Sequence, residues 1–69
     1  MISERDYDFF FDNLERWKKT DFGHYILIKN GKMCGMYTSE GDVKANAPKY
    51  GDDVLIMHIG DEVKQYFLK

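Results

Sequence analysis

Apolar residues recur with the helical period in the first part of the chain. Between Ser3 and Lys19 they fall at i, i+3, i+4, i+7 and i+10, which is the spacing of one apolar stripe on an amphipathic helix. The stripe comprises Tyr7, Phe10, Phe11, Leu14 and Trp17. Ser3 followed by Asp6 resembles a capping box, which favours a helix start at this point. The pattern therefore predicts a helix from Ser3 to Lys19.

The next segment has the pattern of a tight β-hairpin. Two apolar runs flank Asn30-Gly31, the dipeptide typical of a two-residue turn. A regular register from this turn pairs Leu27 with Cys34. One face of the hairpin then carries Ile26, Ile28, Met33, Gly35 and Tyr37. The other face carries Tyr25, Leu27, Cys34 and Met36. We assign the first face to the core, because Gly35 would let a helix approach closely.

The second half of the chain predicts a shorter helix and a second hairpin. Ser39 is a suitable N-cap, and Pro48 bends or ends the helix that follows it. Residues 54–59 are apolar on both sides, as in an inner strand, and residues 63–68 alternate like an edge strand. The predicted fold is a single α+β domain over residues 1–69. It has two layers in helix–hairpin–helix–hairpin order, with a four-stranded, mainly antiparallel sheet and both helices on one face.

Composition and charge narrow the classes of protein. The chain has 69 residues, one cysteine and a net charge of −2, so an internal disulfide is excluded and a reducing compartment is favoured. Its longest apolar runs are far shorter than the roughly 20 residues of a membrane helix, and the residues after Met1 do not resemble a cleavable signal. A basic face for nucleic acid is not evident. We therefore expect a cytoplasmic protein without direct nucleic-acid or membrane contact.

Several short segments resemble a group of small prokaryotic domains of unknown function. The resemblance rests on the run 22–33, FGHYILIKNGKM, on Tyr37-Thr38-Ser39-Glu40 and on Tyr50-Gly51-Asp52. The group has a short aromatic-rich helix, a hairpin with an Asp-Gly or Asn-Gly turn, a second helix and a closing strand pair. This chain departs from it at Gly41-Asp42-Val43 and at Pro48. The resemblance implies the same fold and no particular activity.

Residues that could carry chemistry do not form a recognisable pattern. A Cys34–His24 dyad would need both side chains on one face, but the predicted register places them on opposite faces. His24 and His58 lack the close spacing of metal-ligand pairs. Asp21-Phe22-Gly23 copies a kinase tripeptide without the other motifs of that enzyme class. We therefore expect no catalytic residues, no metal and no cofactor.

An uncovered apolar sheet face is the main candidate for a functional surface. Its predicted contact residues are Phe9, Tyr25, Leu27, Met36, Leu55, Met57 and Tyr66. A stripe of acidic residues on the first helix adds a second candidate contact, formed by Asp8, Asp12 and Glu15. Exposed apolar patches larger than roughly a few hundred Å² mark interfaces in many proteins. The alternative is that the second helix or the last strand covers this face.

If the apolar sheet face is uncovered, the sequence predicts a non-enzymatic protein-interaction module that forms a homodimer or docks on a larger protein. Such a module could be an accessory subunit, or a phage or mobile-element inhibitor of a host defence complex whose acidic residues mimic nucleic-acid charge. The alternative function is a small-molecule sensor. Its pocket would lie between the first helix and the sheet, lined by Tyr7, Trp17 and His24.

Overall fold

The structure, a computed structural model, describes residues 2–67 of the chain. The helices are α1 (Glu4–Thr20) and α2 (Glu40–Asn46), and a 3₁₀ turn (Ala47–Tyr50) follows α2. The strands are β1 (Tyr25–Lys29), β2 (Lys32–Tyr37), β3 (Leu55–His58) and β4 (Lys64–Tyr66). The four strands form one antiparallel sheet in the order β2-β1-β3-β4, so β1 and β3 are the inner strands. The predicted α+β class and the order of helices and strands are confirmed.

The two helices lie on opposite faces of the sheet, which corrects the predicted two-layer arrangement with both helices on one face. On β1, Ile26 and Ile28 are buried in a cluster with Phe10 of α1, whereas Leu27 between them packs in a cluster with Val43 of α2. Alternating residues of a strand point to opposite faces. The fold therefore has three layers, because inner strands that are apolar on both sides need a cover on each.

The β1–β2 hairpin contains a β-bulge that the sequence pattern did not reveal. The register shifts between Leu27 and Ile28, so Leu27 lies opposite Gly35 rather than Cys34. Cys34 is therefore the extra residue on the bulged strand. Beyond the bulge, each β2 side chain lies on the face opposite to the one that a regular register would give it. Met36 therefore lies opposite Ile26, in the cluster beneath α1. The predicted face assignment is wrong for the second half of β2.

A buried carboxylate joins the start of α1 to the hairpin turn. Asp6 is only 3% exposed, and its Oδ1 accepts a hydrogen bond from the Gly31 N–H at 2.7 Å. Its Oδ2 accepts from the Ser3 N–H at 3.1 Å and from the Ser3 hydroxyl at 3.3 Å. We call this arrangement of Ser3, Asp6 and Gly31 the Asp6 clamp. It confirms the predicted capping box and adds a long-range contact to it.

Candidate functional site

The apolar sheet face predicted as an interface is not an open surface. Leu27 and Leu55 are fully buried and Met57 is 3% exposed. Leu27 points towards α2, whereas Leu55 and Met57 belong to the cluster beneath α1. These three residues therefore lie in the core on two different sides of the sheet. Of the two alternatives that the sequence left open, coverage by the second helix is the one observed.

The other predicted interface residues are half-buried at the margins of the two clusters. Phe9 and Met36 pack against the cluster beneath α1, while Tyr25 and Tyr66 pack against the cluster beneath α2. Phe9 makes an edge-to-face contact with Trp17, with ring centroids 5.9 Å apart. Phe9 lies off the apolar stripe of α1 and is half-buried, because its ring packs against the edge of the core cluster.

Phe11 is the large aromatic residue that α1 directs to solvent. It is 54% exposed, whereas the neighbouring Phe10 is fully buried. The two rings meet edge to face with centroids 5.2 Å apart. The sequence pattern placed both residues on the core stripe, and for Phe11 this is wrong. Consecutive helical residues point about 100° apart, and the side of α1 that faces the sheet includes Phe9 and Phe10 but not Phe11.

Acidic side chains surround Phe11 on the outer side of α1. Asp8 and Glu15 lie three residues before and four residues after it, which makes them its neighbours on the helix surface. Asp12 and Glu4 are exposed as well. We call this set of Glu4, Asp8, Phe11, Asp12 and Glu15 the acidic–aromatic face. The predicted acidic stripe is therefore solvent-exposed, and the exposed ring of Phe11 lies among its carboxylates.

The charge of this face is not neutralised within the described part of the chain. Across residues 2–67, none of its four carboxylates takes part in an ion pair, in contrast to Glu40, which pairs with Lys44 at 2.7 Å. The basic residues Lys18 and Lys19 lie in the last turn of α1. Apart from Arg5, the charged side chains in the first three turns of α1 are all acidic, and such a cluster of negative charge favours approach of a positively charged partner.

A second half-exposed surface crosses the α2 side of the sheet. Because of the bulge, Tyr37 lies opposite Tyr25, which lies opposite His58, which in turn lies opposite Lys64. This row crosses all four strands. The rings of Tyr25 and His58 have centroids 4.4 Å apart, and Tyr66 lies 5.7 Å from Tyr25. The sequence did not predict the row, because a regular hairpin register places Tyr37 elsewhere.

The Tyr25 hydroxyl in this row stays protonated at physiological pH. Burial, and then the neighbouring hydroxyl of Tyr66, raise the pKa of Tyr25 above 10.0. The ammonium of Lys44 lies 5.5 Å from the centroid of the Tyr66 ring, a cation–π contact. Because Lys44 also pairs with Glu40, these two charges cancel locally. The row is a polar aromatic surface without the strong charge of the acidic–aromatic face.

The other candidate chemical groups are held apart by the fold. His24 uses its Nδ1 in a contact of 2.9 Å with the Asp21 carbonyl oxygen. Cys34 lies at the bulge, towards the opposite end of β1. No group of three or more potential metal-ligating side chains is found within residues 2–67. The arrangement therefore does not bring the thiol and the imidazole together as a nucleophile and a base.

The space proposed for a sensor pocket is occupied by core side chains. Trp17 is 3% exposed and packs with Phe10 between α1 and the sheet. The Tyr7 hydroxyl donates a hydrogen bond to Gln65 Oε1 at 3.1 Å. Tyr7 and Trp17 thus fasten α1 to the sheet, and the structure gives the pocket interpretation no particular support.

Comparison with protein-family models, curated proteins and solved structures yields no match for this chain. The resemblance to small prokaryotic domains accordingly stays an expectation from the sequence. Neither helix within residues 2–67 is long and apolar enough to span a bilayer.

Proposed function

We propose that the protein is a non-enzymatic interaction module that docks through the acidic–aromatic face on a basic surface of another protein. The observation that carries this proposal is the 54% exposure of Phe11 within a set of carboxylates that form no ion pair with any residue from 2 to 67. Large aromatic rings are enriched in the cores of interfaces and among the residues that contribute most to binding. The surrounding charges supply the complementarity that guides a partner to it.

The charge of the face favours a different protein over a second copy of this chain. Two copies that met face to face would bring eight carboxylates into one interface, and like charges in close contact oppose binding. A partner with lysine or arginine side chains around an apolar pocket would instead neutralise the carboxylates and cover Phe11. The proposal places this interaction in the cytoplasm, where the thiol of Cys34 stays reduced.

Rigidity of the docking surface supports the same function. The Asp6 clamp fixes the first turn of α1 to the hairpin, and the Tyr7–Gln65 hydrogen bond fixes the next residue to β4. Glu4, Asp8 and Phe11 are therefore presented on a helix whose position is set by contacts on two sides. A preorganised surface loses less conformational entropy when it binds.

The proposal is tested by covalent capture at single positions. A photo-cross-linking phenylalanine analogue replaces Phe11 in one protein and Phe22 in a second, and both are irradiated in a lysate of the source cells. Phe22 is the matched control, since it is 53% exposed but lies outside α1. We expect one protein to be cross-linked from position 11 and not from position 22. Its purified form should bind the chain with an affinity that falls as salt is raised.

Variants of the face identify the contact. With the captured partner, Phe11→Ala should lower the affinity by at least about tenfold, as expected for an interface anchor. Asp12→Lys should weaken binding and reduce its salt dependence, and Phe22→Ala should leave both unchanged. Equal cross-linking from the two positions, or equal binding by Phe11→Ala and Phe22→Ala, would contradict the proposal.

A further inference from the structure

The hairpin turn carries the dipeptide that is chemically most prone to deamidation. In an Asn-Gly sequence the glycine nitrogen loses its proton and attacks the Cγ of the asparagine side chain. Ammonia leaves, and water then opens the resulting succinimide to aspartate or isoaspartate. Glycine hinders the attack least, because it has no side chain. Asn30 is solvent-exposed, with φ at 56°, and Gly31 follows with φ at 72°.

The nucleophilic nitrogen of this reaction is bound within the Asp6 clamp. The Gly31 N–H donates to the Asp6 carboxylate at 2.7 Å, and that carboxylate is only 3% exposed. The Arg5 side chain lies against the same residue, since a Cβ at position 31 would meet its Cγ and Nε at 3.1 Å. A negative charge beside the amide opposes loss of its proton, and a hydrogen bond to a charged acceptor must break before attack.

We propose that Asn30-Gly31 is a latent deamidation site and that Asp6 is the positioning residue that suppresses the reaction in the folded protein. The reaction then proceeds only when the clamp opens. Isoaspartate at position 30 would lengthen the backbone of the turn by one methylene group. That change would displace the Gly31 N–H from Asp6 and prevent the clamp from closing again. The inference does not depend on the proposed docking function.

The test measures conversion at Asn30 by peptide mapping and mass spectrometry, with isoaspartate and aspartate products separated by chromatography. The wild type and Asp6→Asn are incubated at physiological temperature and mildly alkaline pH, together with a synthetic peptide of residues 25–37. Asp6→Asn retains an acceptor oxygen but removes the charge. We expect it to convert about tenfold faster than the wild type or more, the factor that corresponds to losing a charge-assisted hydrogen bond. The peptide should convert fastest.

A matched variant separates local protection from loss of global stability. Val43 belongs to α2 and is fully buried against the sheet, on the opposite side of the sheet from the Asp6 clamp. Val43→Ala should lower stability while Asn30 converts at the wild-type rate. Equal acceleration in Val43→Ala and Asp6→Asn would overturn the proposal, because unfolding alone would then explain it. A wild-type rate in folded Asp6→Asn, or a peptide-like rate in the wild type, would overturn it as well.

Discussion

Asp6 connects two elements that are distant in sequence, and its ionisation should contribute to stability. Burial raises the pKa of this carboxyl, but hydrogen bonds from Gly31 and Ser3, with Arg5 nearby, outweigh it, so the pKa lies below 3.8. The folded state thus favours the carboxylate. Its contribution is complete above pH 3.8 and is lost as the pH falls through the lowered pKa of the folded state.

Asp6→Asn should therefore lower the free energy of unfolding by about 1–2 kcal/mol at neutral pH, through weaker hydrogen bonds at the clamp. In acid, the Tm of the wild type should fall more steeply than that of the variant. Thermal denaturation followed by circular dichroism across the acidic range measures both effects. Asp8→Asn, on the exposed side of the same helix, is the control and should change Tm little at neutral pH. Parallel acid profiles for wild type and Asp6→Asn would contradict this account.

A glycine at position 35 should be required for full stability, because the Tyr37 ring lies against Gly35. A Cβ at position 35 would stand 2.8 Å from both Cε2 and the hydroxyl oxygen of Tyr37, so the ring would have to move. Gly35→Ala should lower the free energy of unfolding by about 1–3 kcal/mol, the usual cost of overpacking. Among residues 2–67, apart from its chain neighbours and its own helix backbone, no atom lies within 4 Å of a Cβ added to Gly41 in α2. Gly41→Ala should stabilise the protein by up to about 1 kcal/mol. Chemical denaturation of both variants checks the difference, and equal effects would contradict it.

At the scale of elements, α1 shows how far periodicity defines a helix face. Phe10 and Phe11 both fit the apolar stripe, but only Phe10 faces the sheet. Phe10→Ala should cost about 3–5 kcal/mol, because it leaves a cavity in the core. Phe11→Ala should cost less than about 1 kcal/mol, since an exposed ring is replaced by a strong helix former. Urea unfolding of the two variants compares them, and similar losses of stability would mean that the stripe was read correctly from the sequence.

The limits of sequence interpretation follow from the range of each signal. The Asn30-Gly31 turn, the Ser3 cap and the α1 period are local, and all three predicted elements are present with nearly the expected bounds. The bulge at Cys34 has only an ambiguous local signal, because the isolated Gly35 within the strand pattern is as typical of a close backbone approach as of a bulge. That single insertion moved Met36 to the α1 side and aligned Tyr37 with Tyr25. The tyrosine row was for this reason not predictable from a regular register.

At the scale of the whole molecule, the arrangement of layers changed the functional interpretation. The sequence correctly indicated that the inner strands are apolar on both faces. It did not determine whether the second cover came from the same chain, since a helix as short as α2 is weakly predicted by its own residues. Val43 and Ala47 of that helix complete the core on the second face. The surface available to a partner therefore moves from the sheet to the outside of α1.

The three-layer order itself can be tested with one charge on each side of the sheet. Leu27 lies beneath α2 and Met57 beneath α1, and both are buried. Leu27→Asp and Met57→Lys should each unfold the protein, because an unpaired buried charge costs on the order of the whole stability of a small domain. An open sheet face, as in a two-layer protein, would tolerate one of the two changes. Met33 on β2 is 46% exposed, so Met33→Lys should stay folded as the control. Two-dimensional amide NMR spectra distinguish the outcomes: collapsed dispersion is expected for the first two variants, and a dispersed spectrum from either would contradict the layer order.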